Sequence, residues 1–131
     1  MPYNLNHVHL KTLDPAKTAQ WWVTAFKFEI VSDTTRTTGD RFIRCRAENG
    51  VPVNISGPLT GQELPISDSG VKQGLEHIGF DVDDIDAEIA RLEKLGAPLL
   101  AGPGELPDGT RYCWVEAPDH VRVELIQWPK K

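Results

Sequence analysis

The sequence predicts an α+β fold built from two copies of one unit, each ordered strand, helix and three further strands. Three observations predict it. A shift of 70 positions without a gap lays Leu75-Glu76-His77-Ile78 on Leu5-Asn6-His7-Val8, and brings Asp84 onto Asp14. The same shift places Glu124, inside Val121-Arg122-Val123-Glu124-Leu125, on Asn54, inside Val51-Pro52-Val53-Asn54-Ile55. Strand-like alternation and helix-like spacing follow one another in the same order in both halves. A repeat this long marks a duplicated structural unit rather than a solenoid period. The 131 residues therefore read as one domain, 1–131, with a first module over about 5–56, a connection over 57–74 and a second module over about 75–127.

Residues 5–12 alternate as a strand, with His7, His9 and Lys11 on one face and Val8 and Leu10 on the other. Asp14-Pro15 starts a helix, because Asp accepts from the open backbone donors and Pro at the first helical position gives up no hydrogen bond. That helix runs to about Lys27 along a stripe of Ala19, Trp22, Ala25 and Phe26. Residues 28–31 form a strand, and 34–40 form a Thr-rich loop with Gly39 near its end. Residues 40–47 and 51–56 make a hairpin about Glu48-Asn49-Gly50, since Asn-Gly accepts the positive φ of a tight turn. Residues 57–74 hold four glycines and two prolines with no sustained period, and read as a mobile connection and a candidate lid.

The second half repeats the order. A strand over 75–82 leads into a helix capped by Asp83 or Asp84, striped by Ile85, Ile89 and Leu92, and closed at Gly96. A short strand over 98–101 and a Pro/Gly-rich loop over 102–109 follow. A hairpin of 110–116 with 121–127 turns about Ala117-Pro118-Asp119-His120.

Composition narrows the function classes. A net charge of -5 argues against nucleic acid or an anionic membrane surface as partner, since both reward clustered Lys and Arg. No apolar run approaches the roughly 18 residues that span a bilayer. Residues 1–6 carry no basic-then-apolar leader pattern. Cys45 and Cys113 sit inside strand-like runs with no Cys-x-x-Cys spacing. They read as buried free thiols of a cytoplasmic protein, with a single disulfide as the alternative.

The faces turn this architecture into a site hypothesis. Val53 and Ile55, Ile78 and Phe80, and Val123 and Leu125 form rows suited to lie under the helices. The opposite rows hold His7, His9, Asn54, Ser56, His77, Asp81, Arg122 and Glu124. A solvated strand face ordinarily collects Thr, Lys, Glu and Arg, whereas three of the four histidines fall here. Two histidines at duplicate positions, with a carboxylate set between aliphatic neighbours, point to a metal.

The segments Asn6-His7-Val8-His9-Leu10 with Asp14-Pro15, then Glu76-His77-Ile78-Gly79-Phe80-Asp81-Val82-Asp83-Asp84, then Ala117-Pro118-Asp119-His120 running into Val121–Leu125 resemble the vicinal oxygen chelate superfamily. That superfamily includes glyoxalase I, extradiol dioxygenases, methylmalonyl-CoA epimerase, fosfomycin-resistance enzymes and bleomycin-resistance proteins. The resemblance covers nearly the whole chain and implies two βαβββ modules whose mixed sheets curl around a metal. By motif, His7 matches the first ligand, His77 the second histidine and Glu124 the terminal carboxylate. Asn54 stands where glyoxalase I has Glu and the epimerase Gln, and is assigned to substrate. The implied cofactor is one divalent transition metal per site, Fe, Mn, Co, Ni or Zn.

The implied function is a metal-dependent enzyme acting on a small organic substrate with vicinal oxygens, by lyase or isomerase chemistry through a stabilised enolate or oxyanion. The alternatives are an Fe(II)-dependent extradiol ring-cleaving dioxygenase and a metal-free drug-binding protein like those of bleomycin resistance. Trp114 stands where the two-domain dioxygenases have Tyr, and no histidine lies between His9 and His77. His9 is the candidate acid–base group, and Tyr112, Trp114 and Arg122 are candidate substrate-binding residues. A homodimer is expected, because many short members complete their sites with a partner chain. Trp21-Trp22 reads as a packing or dimer contact. Arg44, Arg46 and Arg122 read as surface or cavity-rim cations, with a bidentate hold on a substrate carboxylate as the alternative for one of them. His120 reads as a turn residue without a role, and the acidic run 81–88 as helix capping.

Overall fold

Strand β1 (Val8–Lys11) is followed by helix α1 (Pro15–Phe26), then β2 (Glu29–Thr35), β3 (Arg41–Arg46) and β4 (Pro52–Ser56). The second half runs β5 (Ile78–Asp81), α2 (Ile85–Lys94), β6 (Leu99–Glu105), β7 (Arg111–Ala117) and β8 (Val121–Gln127), with one turn of 3-10 helix at Pro118–His120. This computed structural model describes residues 1–131, in two compact units, Met1–Ile66 and Ser67–Lys131.

Each unit carries one mixed four-stranded sheet. The strand orders are β1-β4-β3-β2 and β5-β8-β7-β6. In both, the first strand lies parallel to the last and the other pairs are antiparallel. The registers repeat with the sequence offset: Val8 pairs with Val53 and Ile78 with Val123. Even the tight turns match. Arg36 N donates to Asp40 O and Gly39 N to Arg36 O, while Leu106 N donates to Thr110 O and Gly109 N to Leu106 O. Gly39 and Gly109 take φ of 89° and 94° there, a region that costs a residue with a Cβ about 1–2 kcal/mol.

The helices form for the reasons the sequence supplies. Asp14 accepts from Lys17 N at 3.2 Å and Asp84 from Ala87 N at 3.1 Å. Helix α1 ends at Lys27, which takes the left-handed conformation, so that Lys27 N–H donates to the Val23 carbonyl and Phe28 N–H to the Trp22 carbonyl. Ala19, Trp22 and Ala25 are buried, and the Trp22 ring stacks on Phe28 at 5.2 Å. Trp21 is half-buried and meets Trp22 edge-on. In the second unit Ile85 and Leu92 are fully buried with Cys113, Val115, Val123 and Leu125. Removing each such aliphatic side chain from water is worth about 1.5–3 kcal/mol. Both cysteines are free and buried, which excludes the disulfide alternative. No helix is long and apolar enough to cross a membrane.

Three boundaries differ from the sequence reading. His7 and His77 precede β1 and β5, whose parallel ladders begin one residue later. In the first unit the position facing His7 is Pro52, which has no N–H to donate. Strand β2 extends through Thr34 and Thr35, expected as loop, and remains paired to Thr35↔Arg41. Strand β6 likewise extends through Gly102–Glu105, with register shifts on either side of Ala101. It is an edge strand, where Pro103 breaks no second ladder and bulges absorb the irregular backbone.

Candidate metal and substrate site

In the second unit, β8 carries Glu124 between two unlike neighbours. Gly79 on β5 faces it on one side and Trp114 on β7 on the other. His77, one residue before β5, brings Nε2 to 3.4 Å from Glu124 Oε1, and Glu76 Oε2 lies 3.4 Å from its Nδ1. Both separations exceed the roughly 2.7–2.9 Å of a tight charge-assisted hydrogen bond. Two ligand atoms each about 2.1 Å from a tetrahedral ion stand about 3.4 Å apart. The separation matches that expected of two ligands sharing one metal ion, while His77 Nδ1, although near Glu76, is buried without a hydrogen bond. A Cβ at Gly79 would stand 3.9 Å from Glu124 Oε1, so Gly79 leaves the flank of this carboxylate open.

An aromatic and cationic wall adjoins the pair. Trp114 lies edge-on to His77 at 6.3 Å and to Tyr112 at 5.3 Å, and the Arg122 guanidinium sits 5.2 Å from its ring centre. Trp114 Nε1 and Arg122 Nε are buried donors without a partner in the chain. Such donors are costly unless something accepts from them, and both belong to residues that the sequence reading names as candidates for substrate binding. Tyr112 lies flat against Gly104, where an added Cβ would fall 2.5 Å from its ring.

Residues without an assigned role hold this wall. Arg122 Nη1 donates to Ser69 O at 3.0 Å, and Ser69 Oγ donates to Glu116 Oε2 at 2.6 Å. His120 Nδ1 meets the same Glu116 oxygen at 3.2 Å. Those two partners, Ser69 first, hold the Glu116 carboxyl below its usual range. The segment around Ser69, read from the sequence as a mobile connection and candidate lid, is therefore anchored to β7 and β8. No periodicity signals such a contact.

In the first unit the corresponding positions carry different chemistry. His9, Asn54 and Arg44 stand in one register across β1, β4 and β3. His9 Nε2 is 2.7 Å from Ser56 Oγ, and its ring lies 5.4 Å from Phe42. Partial burial first, then the nearby Lys11, His7 and Arg36, hold the His9 imidazole below its ordinary pKa. Asp40 is buried, and Arg36 Nε donates to it at 2.9 Å while Thr38 also donates. His7 is exposed, with Nδ1 2.8 Å from Asn6 Oδ1. With Nδ1 as donor, Nε2 keeps its lone pair. The structure thus joins His77 to Glu124 and places Trp114, Tyr112 and Arg122 beside them. It gathers no group of three or more His, Cys, Asp and Glu side chains fit to hold a metal.

Comparison with known proteins agrees with these observations. Residues 4–125 match the family model described as Glyoxalase/Bleomycin resistance protein/Dioxygenase superfamily. A glyoxalase family protein from Bacillus cereus superposes with a TM-score of 0.82 at 17% identity, covering 97% of this chain and 95% of that one. A mutant of the fosfomycin resistance protein FosX from Listeria monocytogenes, complexed with Mn(II) and 1S,2S-dihydroxypropylphosphonic acid, superposes with a TM-score of 0.70 at 19% identity, covering 95% and 90%. A 3-dehydroshikimate dehydratase from Pseudomonas putida is 30% identical over 105 residues, which are 72% of this chain and 16% of that protein. The chain thus spans about a sixth of that relative's length.

Proposed function

The chain belongs to the Glyoxalase/Bleomycin resistance protein/Dioxygenase superfamily, and on that premise we propose that it is a divalent-metal-dependent enzyme of lyase or isomerase type acting on a small substrate with vicinal oxygens. The observation that carries the reading is the pair of His77 Nε2 and Glu124 Oε1, 3.4 Å apart with an open flank at Gly79. One imidazole and one carboxylate suit a first-row divalent ion, and His7, with Nε2 available, is the proposed third ligand. The FosX complex with Mn(II) and a vicinal diol, and the dehydratase relative, support the same chemistry. A metal there supplies Lewis-acid stabilisation of negative charge developing on two neighbouring substrate oxygens.

The remaining work falls to this chain's own side chains. Trp114 and Tyr112 form a flat wall beside the donor pair, and the unpartnered Trp114 Nε1 and Arg122 Nε are placed to donate to a substrate oxygen. Asn54 contributes a neutral amide to substrate, and His9, tied to Ser56 Oγ, is the proposed proton carrier. A homodimer belongs to the same proposal. The support for it is exposed apolar surface: Tyr3, Leu5 and Leu75 are 95%, 90% and 80% exposed.

The test is metal content by elemental analysis after loading with first-row divalent ions and dialysis. The parent is expected to retain one ion per site, His7→Ala, His77→Ala and Glu124→Ala to lose it, and Asn54→Ala to keep it. A parent that holds no ion would replace this reading with that of a metal-free binding protein. Retention in His77→Ala would show that the histidines are structural. Oxygen consumption during turnover would move the reaction to the dioxygenase class.

A further inference from the structure

We infer that the open face of the first sheet carries an oxyanion-binding subsite, formed by the Arg44 guanidinium and the Asn54 side-chain amide, that takes a carboxylate or phosphate group of a small molecule. The inference starts from register. Asn54 lies directly between His9 and Arg44, and Ser32 lies beyond Arg44, so one row crosses all four strands. Side chains directly opposite in an antiparallel pair have Cβ atoms about 4.5–5.5 Å apart. The amide of Asn54 and the fork of Arg44 therefore reach the same oxyanion.

The cations near this face divide by partner. Arg36 is held by the buried Asp40, and Lys11 Nζ donates to the Gly57 carbonyl at 2.8 Å. Arg46 stands across from Glu29. Arg44 differs from Arg46 in having no carboxylate among its cross-strand neighbours, which are Ser32 and Asn54. Its guanidinium rests 5.6 Å from the centre of the Phe42 ring, which also carries Arg36 at 4.5 Å and is 9% exposed. A ring held this way orients the guanidinium without consuming its N–H donors, which suit the two oxygens of a carboxylate or phosphate.

The second unit shows that this arrangement is not a remnant of the donor pair. The residues 70 positions on from His9, Arg44 and Asn54 are Gly79, Trp114 and Glu124, which form the same row there. One copy of the duplicated row is acidic and attracts a cation. The other holds Asn where the first holds Glu and Arg where it holds Trp, which favours anions instead. This inference is independent of metal binding, so it is tested on metal-free protein and stands or falls apart from the metal proposal.

The experiment is NMR titration of the isotope-labelled full chain with sodium phosphate and, separately, with sodium propionate at constant ionic strength. The Arg44 Nε–H and Asn54 amide signals are followed. Saturable shifts at both residues are expected. Arg44→Gln should weaken binding by about tenfold or more, Arg44→Lys should give an intermediate affinity, and Arg46→Gln should change it by less than about twofold. Saturation by phosphate alone assigns the subsite to a phosphate group, by propionate alone to a carboxylate, and by both to their shared geometry. Shifts that rise linearly without saturation, or an Arg44→Gln variant that binds like the parent, would overturn the inference.

Discussion

Replacing Gly104 with Ala tests the packing that supports the candidate site. In the folded chain Tyr112 lies over Gly104 across the β6–β7 ladder, so the new methyl would fall 2.5 Å from Tyr112 Cζ and Oη and 2.9 Å from Cε2. Ordinary contact begins about 1 Å farther out. The ring is not free to swing away, because it packs edge-on against Trp114, which in turn borders His77. Overpacking of this kind costs about 1–3 kcal/mol. Gly→Ala also stabilises by about 0.4–1 kcal/mol through the unfolded chain. Gly79→Ala is the internal control: it carries the same unfolded-state gain, but its methyl meets nothing closer than 3.9 Å. The difference between the two variants therefore isolates the clash, at about 1–3 kcal/mol. Urea unfolding of the metal-free chain measures it, with near-ultraviolet circular dichroism reporting the Trp114 environment. Adding Tyr112→Leu to Gly104→Ala should recover most of the loss, as expected of directly coupled positions. Equal stability of Gly104→Ala and Gly79→Ala within about 0.5 kcal/mol would refute this account of how Tyr112 and Trp114 are held.

Two further outcomes follow from titratable groups. Hydrogen bonds from Arg36 and then Thr38 draw the Asp40 carboxyl from its ordinary value of 3.8 down to about 2. Between those values the unfolded chain binds the extra proton, so the stabilisation is whole above the upper value and disappears as pH falls through the lower. The urea midpoint of Asp40→Asn should accordingly fall less steeply than the parent's across that window, and parallel profiles would contradict the assignment. Burial raises the Cys45 and Cys113 thiols to about 11. Both should resist iodoacetamide in native protein at about pH 8 and react fully in concentrated urea, as mass spectrometry would read.

Much of the fold was legible because it depends on local chemistry and on a repeat. The 70-residue offset recurs in strand registers, helix starts and the paired tight turns, since each copy solves the same packing problem with the same pattern. Asp14 caps its helix as read, and of the two candidates Asp83 and Asp84 the structure selects Asp84, because capping is a contact within a few residues. At Thr34, Thr35 and residues 102–105 composition favours loop, whereas ladders to β3 and β7 set the conformation.

By itself, the sequence determined that two like units exist, which faces are polar, and which histidines and carboxylate are candidates for chemistry. Only the tertiary structure decided which of these meet. The parallel pairing of β5 with β8 is what carries His77 to Glu124 across 47 residues, and that of β1 with β4 puts His9 beside Asn54. Ladder partners that distant in sequence leave no local period. The same holds for Ser69 beneath Arg122, Tyr112 on Gly104, and Arg44 across from Ser32 and Asn54. Each is fixed by sheet order and register, which long-range hydrogen bonding and burial select together.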